Sequence, residues 1–197
     1  MNLSDPKQLA SVLEAVLLAA GKVLSIEQML GLFEAHEAPS STVVREALSV
    51  LQRACQKRSY ELKEVAGGYR LQIRQQHALY VSRLWEERPP RYSRAMLETL
   101  ALIAYRQPIT RGEIEDVRGV TVNSQIVRTL MERGWVRVVG HREVPGRPAL
   151  LATTKSFLDH FGLRTLAELP TLAELRDLTV EPELEDMDDD DRPIPAH

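Results

Sequence analysis

Between Ala54 and Tyr60 the hydrophobic period of this chain changes from that of a helix to that of a strand, and no other feature narrows the fold so far. Upstream, Val43, Val44, Ala47, Leu48, Leu51 and Ala54 recur at the spacing of one helix face. Downstream, over Tyr60 to Val65 and again over Tyr69 to Ile73, apolar residues alternate with Lys63, Arg70, Gln72 and Arg74. Gly67-Gly68 between the two runs marks a hairpin turn. Two more helices precede the switch. Ser4-Asp5-Pro6 supplies cap residues and a helix-opening proline for Leu9, Val12, Leu13, Val16, Leu17 and Ala20, which run to Gly21. Ser25 and Gln28 have capping-box spacing before Met29, Leu30, Leu32 and Phe33. Helix, helix, helix, hairpin is a winged-helix order. Residues 77 to 87 read as one further helix, and the consecutive prolines of RPPRY make residues 88 to 92 a linker.

The order then repeats. Residues 93 to 106 predict a helix with Met96, Leu97, Leu100, Ala101, Ile103 and Ala104 inward, and Pro108 stops it. Thr110 and Glu113 form a capping box for a short second helix. Asn123 or a near neighbour starts a third, with Ile126, Val127, Leu130 and Met131 toward the core and Gly134 as its C-cap. A strand begins over Trp135 to Val139, its partner is Ala149 to Thr153, and a closing helix carries Phe157, Leu158 and Phe161 on one face. The expected fold is mainly α with small β-hairpin wings, α+β in class, as two tandem winged-helix domains. Their bounds are 1–87 and 93–170, with 88–92 as linker and 171–197 as tail. The echo between halves is one of order and spacing; the residues themselves do not repeat.

The formal net charge of -3 hides two different parts. Residues 181 to 191, EPELEDMDDDD, hold eight acids and no base, while residues 1 to 180 hold 24 Lys and Arg against 20 Asp and Glu, a surplus of four. Such a segment predicts disorder from about residue 181. Its bland reading is a solubilising tail, and its sharper one an autoinhibitory mimic of nucleic acid. The N-terminus lacks a basic n-region, and Lys7, Gln8, Ser11 and Glu14 interrupt its apolar residues, so neither a signal peptide nor a membrane span is expected. Cys55 has no second cysteine to pair with and lies in a helical pattern, which fits a buried thiol in a reducing, cytoplasmic compartment.

The stretch GHREVPGRPALLATT, residues 140 to 154, invites a phosphate-loop reading and fails it. Five residues separate Gly140 from Gly146 where a Walker loop has four, and Arg147-Pro148 stands in place of Lys-Ser/Thr. Pro148 also removes an N-H from the would-be cradle. The five histidines share no ligand spacing and no nucleophile elbow is present, so the expectation is no metal, no cofactor and no catalysis. For DNA, Asn123, Gln125, Arg128 and Arg133 of the third helix with Arg142 and Arg147 of the wing are residue types that contact duplexes. Glu132 and Glu143 interrupt them, and residues 93 to 164 hold only 11 bases against 7 acids. DNA contact is therefore expected to be weak at most, with a sequence-reading regulator as the runner-up. The first helix carries more apolar residues than one stripe needs, since Ala15, Leu18 and Ala19 extend around its circumference. The surplus is either a tightly wrapped core helix or a homodimer seam through Val12, Ala15, Leu18 and Ala19, and the seam is the reading we favour.

YSRAMLETLALIAYRQPITRGEIEDVRGV, SQIVRTLMERGWV and GHREVPGRPALLATTKSFLDHFGL, followed by TLAELP, resemble the signature of segregation and condensation protein B, ScpB, the accessory subunit of bacterial SMC-kleisin condensin. The resemblance covers nearly all of residues 7 to 170. It departs at Leu151-Ala152, where such proteins often carry an aromatic residue and glycine. It implies two winged-helix domains, dimerisation chiefly through the first, and no catalysis. It also implies binding of the kleisin ScpA, which bridges to the SMC ATPase, in the service of chromosome condensation and segregation at the nucleoid. On the family motif, Tyr105, Gln107, Pro108, Arg111, Arg118, Pro145 and Arg147 are the candidates for kleisin contact. The competing reading is a helix end and its stop for Tyr105 and Pro108, and solvated surface for Arg111 and Arg118.

Overall fold

Cap chemistry sets most of the element boundaries. Asp5 accepts from the Lys7 N-H ahead of Pro6 at the start of α1 (Pro6–Ala20), and Gly21 closes that helix in the left-handed region. Ser25 and Gln28 complete a reciprocal capping box on α2 (Ile26–Leu30), and the Ser40 hydroxyl caps α3 (Ser41–Ala54). The strands β1 (Tyr60–Val65) and β2 (Gly68–Ile73) pair antiparallel, with Leu62 opposite Leu71. A one-turn helix α4 (Ala78–Ser82) follows. The computed structural model describes residues 2 to 84 and 92 to 171. The linker expected at 88–92 and the acidic segment from 181 therefore lie outside the described residues, Tyr92 excepted.

The second half runs α5 (Arg94–Arg106), β3 (Ile109–Thr110), α6 (Arg111–Arg118), α7 (Ser124–Glu132), β4 (Val136–His141), β5 (Ala149–Thr153) and α8 (Lys155–Phe161). The class is mainly helical α+β with two small antiparallel sheets, β1-β2 and β3-β5-β4. In the first half α1 packs on α3, and Leu9, Leu13, Leu17, Met29, Val44 and Leu51 form a core closed by Leu62 of β1. Burying a side chain of this size contributes roughly 1.5–3 kcal/mol. In the second half Ile103, Ile114 and Leu130 are fully buried, one from each of α5, α6 and α7. Cys55 is buried too, and desolvation, with Glu14 adding, pushes its thiol upward, the opposite of what a nucleophile needs. Among the described residues no helix is long and apolar enough to cross a membrane.

Four local expectations are corrected. Of the helix expected over 77 to 87, residues 77 to 84 are described, and among them α helix runs over Ala78–Ser82 with none of its residues buried. The second helix stops at Leu30, so Leu32 falls beyond it and is exposed. Leu97 and Ala101 of α5, placed inward by spacing, lie on its exposed side, because α5 covers the core with one stripe through Met96, Leu100, Ile103 and Ala104. The two-residue β3, which adds Ile109 opposite Leu151, is a strand that hydropathy did not show.

Candidate functional site

The first candidate surface is the outer side of α1. Leu9, Leu13 and Leu17 bury the inner stripe, leaving Ala15, Leu18 and Ala19 exposed and Val12 half-buried beside them. Leu18 keeps 55% of its surface in solvent. Lys7 and Glu14 are the helix's two charged residues, and Glu14 turns away to bond Arg58 and the Tyr60 hydroxyl. The outward face from Val12 to Ala19 is thus apolar and uncharged over about two turns. Such a face suits close approach of a second apolar surface, not water.

The second lies between α6 and α7. Arg111, Ser124, Val127, Arg128, Met131 and Glu132 line an open groove. Its apolar strip is Val127, half-buried, and Met131, which is 41% exposed. Its charges cancel locally: the Arg128 Nε lies 2.8 Å from Glu132 and the Arg111 Nε 2.9 Å from Glu115. Met131 is therefore outward where periodicity placed it inward. The i, i+4 pairs Ile126/Leu130 and Val127/Met131 form two adjacent stripes. A nine-residue helix on a small core buries only the first, so Val127 and Met131 were missed as surface residues.

The residues singled out for kleisin contact divide into three groups. Tyr105 and Pro108 are exposed at the end of α5, and Pro145 and Arg147 are exposed at the wing tip. That tip is held by Gly146 at φ 85° and Arg147 at φ 40°, with the Arg147 N-H bonded to the Val144 carbonyl. Arg142 at the wing base reaches Glu113 of α6 at 2.5 Å, which brings the wing alongside the Arg111 end of the groove. Gln107 and Arg118 are turned inward. The Gln107 amide oxygen accepts from both the N-H and hydroxyl of Thr153, at 2.7 and 2.9 Å. Arg118 has a side chain only 11% exposed and ties α6 to α5 through Glu98 at 2.9 Å and the Thr99 hydroxyl at 3.3 Å. Gln107→Leu should leave two Thr153 donors without an acceptor and lower stability by about 1–3 kcal/mol. Urea denaturation measures it; a midpoint equal to that of the parent would count against this role.

The four candidates for DNA contact already have partners within the chain. Asn123 caps α7 through the Gln125 N-H, and the Gln125 side chain reaches Thr129 at 3.5 Å. Arg128 is paired as above, and Arg133 stacks on the rings of Tyr92 and Trp135 at 4.9 and 5.4 Å. Among the described residues no group of three or more His, Cys, Asp or Glu is placed to hold a metal ion.

Two kinds of group make stability depend on pH, at different windows. Burial, then Arg70 and Arg133, holds His160 below its ordinary 6.5, so the unfolded chain takes this proton first. Stability falls as pH drops below 6.5 and this loss ends at the lower folded value. The Arg94 and Arg118 bonds to Glu98, the Thr110 bonds to Glu113 and the Val122 N-H bond to Glu115 hold these carboxyls below 4.5. Their contribution is present above 4.5 and disappears as pH falls through the folded values. Thermal midpoints across the acid range should show both declines, and His160→Gln should remove only the one that starts at 6.5.

The profile described as segregation and condensation complex subunit ScpB matches residues 11–172. A segregation and condensation protein B homolog from Coxiella burnetii is 51% identical over 167 residues, covering 85% of this chain and 80% of that one. Among solved structures, ScpB from Mycobacterium tuberculosis is 33% identical and covers 81% of this chain and 98% of its own, with a TM-score of 0.36. A dimer of the ScpB N-terminal domain complexed with ScpA peptide is 28% identical over 40% of this chain and 96% of its own, again with a TM-score of 0.36. The relationship rests on sequence, on a family profile spanning most of the chain and on identity far above chance, and by it the chain belongs to the ScpB family of segregation and condensation complex subunits.

Proposed function

We propose that the chain is a noncatalytic scaffold subunit of an SMC-ScpA-ScpB condensin, a homodimer that binds the kleisin ScpA and reaches the SMC ATPase through it. Its two halves are read as winged-helix domains, 1–87 and 93–170, the first dimerising through the outer face of α1. The second holds ScpA along the α6-α7 groove, with the exposed wing tip and the Tyr105-Pro108 corner as flanking contacts. Its place is the cytoplasm, at the nucleoid, and its work is chromosome condensation and segregation. The observation that carries this reading is the outer face of α7. In a winged-helix reader that helix enters the major groove and needs unpaired bases. Here it offers Val127 and Met131 between Arg-Glu pairs that neutralise each other. An apolar strip between balanced charges suits an amphipathic protein segment.

Titration of purified ScpA into the purified chain tests the reading, with specific and random DNA duplexes as the competing ligands. Saturable ScpA binding with weak, salt-sensitive and sequence-independent duplex binding is expected. Absence of ScpA binding at micromolar concentration, or a large preference for one duplex sequence, would overturn it.

A further inference from the structure

We infer that the β1-β2 turn and the C-terminal end of α8 form a latch that holds the two halves as one body, with the Asp159 carboxylate as its positioning residue. The contacts use the free N-H groups of the turn and the side chain and C-terminal carbonyls of the α8 end, the Asp159 carbonyl also accepting from the Gly162 N-H that caps the helix. The Gly67 N-H donates to Asp159 Oδ1 at 2.6 Å, and the Arg70 Nη1 donates to the Asp159 carbonyl at 2.9 Å. The neighbouring Ala66 N-H donates to the Leu163 carbonyl at 3.0 Å, just past Gly162, which ends α8 at φ 70°. Two successive backbone donors facing a carboxylate and a carbonyl make a charge-assisted, directional contact.

The receptor is stiffened from behind. Leu24 and Tyr69 exchange both backbone bonds at 2.9 Å, and a Cβ on Gly68 would overlap the Leu24 backbone. The turn therefore has little freedom to follow α8 if α8 moves. In front, a Cβ on Gly67 would overlap the Asp159 carboxylate, which would have to move from its present position to admit a larger residue. Around the contact His160 stacks on Trp135 at 4.5 Å, and Trp135 touches Phe161 and Tyr92, so the end of α8 is fixed on its own half as well. Two stiff parts joined by these three hydrogen bonds make a device that is either closed or open. The α1 face and the α6-α7 groove are then presented at one spacing while it is closed.

Hydrogen exchange on the full chain tests the latch without reference to any partner. In the parent protein the Ala66 and Gly67 amides should exchange slowly although they sit in a hairpin turn. Asp159→Ala should speed exchange at Gly67 by roughly 10- to 100-fold, with amides of the β1-β2 ladder unchanged. Gly67→Ala, which blocks the same contact from the other side, should do likewise, and both should raise the radius of gyration in X-ray scattering. Asp159→Asn keeps an acceptor at the same atom and should restore part of the protection. Fast exchange at Ala66 and Gly67 in the parent, or protection and radius unchanged in both disrupting variants, would overturn the inference.

Discussion

Glutamate at both Ala15 and Leu18 should turn the proposed dimer into a monomer without unfolding it. Both side chains are exposed in the single chain, Leu18 at 55%, and neither belongs to the core built on Leu9, Leu13 and Leu17. Exposed substitutions of this kind change folding stability by about 0.5 kcal/mol or less. A two-fold interface, however, sets the same patch against itself. Two substitutions then become four carboxylates at the centre of a face that itself carries no base, Lys7 lying more than one turn before Ala15 and Lys22 beyond the helix end. Each unpaired charge taken out of water costs several kcal/mol. Dimer dissociation should therefore rise by at least roughly 10³-fold. Sedimentation or light scattering at micromolar concentration should give the mass of one chain where the parent gives that of two, with the thermal midpoint held. A variant that stays dimeric would move the seam elsewhere, and a parent that is already a monomer would remove it.

What could be read from the residues, and what could not, follows physical lines. Caps are local, so Asp5-Pro6, the Ser25/Gln28 box, the Thr110/Glu113 box and Asn123 all announced helices that start where they do. The change of period at Tyr60 located the first hairpin, and Ala149 to Thr153 was found to the residue. The two-residue β3 is too short to display a period of two; it exists because β5 offers it an edge. Arg118 and Gln107 show the limit for sites. Their residue types suggested exposure, yet a partner distant in sequence, Glu98 for one and Thr153 for the other, draws each inward. Family resemblance marked both without separating a role in holding the domain from a role in holding a partner. The Asp159 contact to Gly67 spans 92 positions and left no local trace. Met131 was legible in principle: four apolar residues on a nine-residue helix exceed one stripe, and the remainder must face out.

Met131→Glu supplies the sharper test of the groove. The side chain is already 41% exposed, so the substitution should cost folding little. In the complex the new carboxylate would sit beside Glu132, whose nearest base, Arg128, is already committed to it at 2.8 Å. Covering that site with a kleisin segment would bury a charge with no counter-ion. Loss of an apolar anchor together with an unpaired charge should weaken ScpA binding by about 100-fold or more. Arg128→Ala, by contrast, removes one member of an exposed pair, worth about 0–1 kcal/mol, and should change ScpA affinity less than tenfold. The order of the two effects separates the partners. A protein segment seated on the apolar strip makes Met131 the sensitive position and Arg128 the tolerant one. A duplex held by phosphate contacts would reverse that order, because only the arginine would touch it. Calorimetric titration of both variants with ScpA, and fluorescence anisotropy of both with duplex DNA, gives the ranking directly. Equal ScpA affinity for Met131→Glu and the parent would take the kleisin out of this groove.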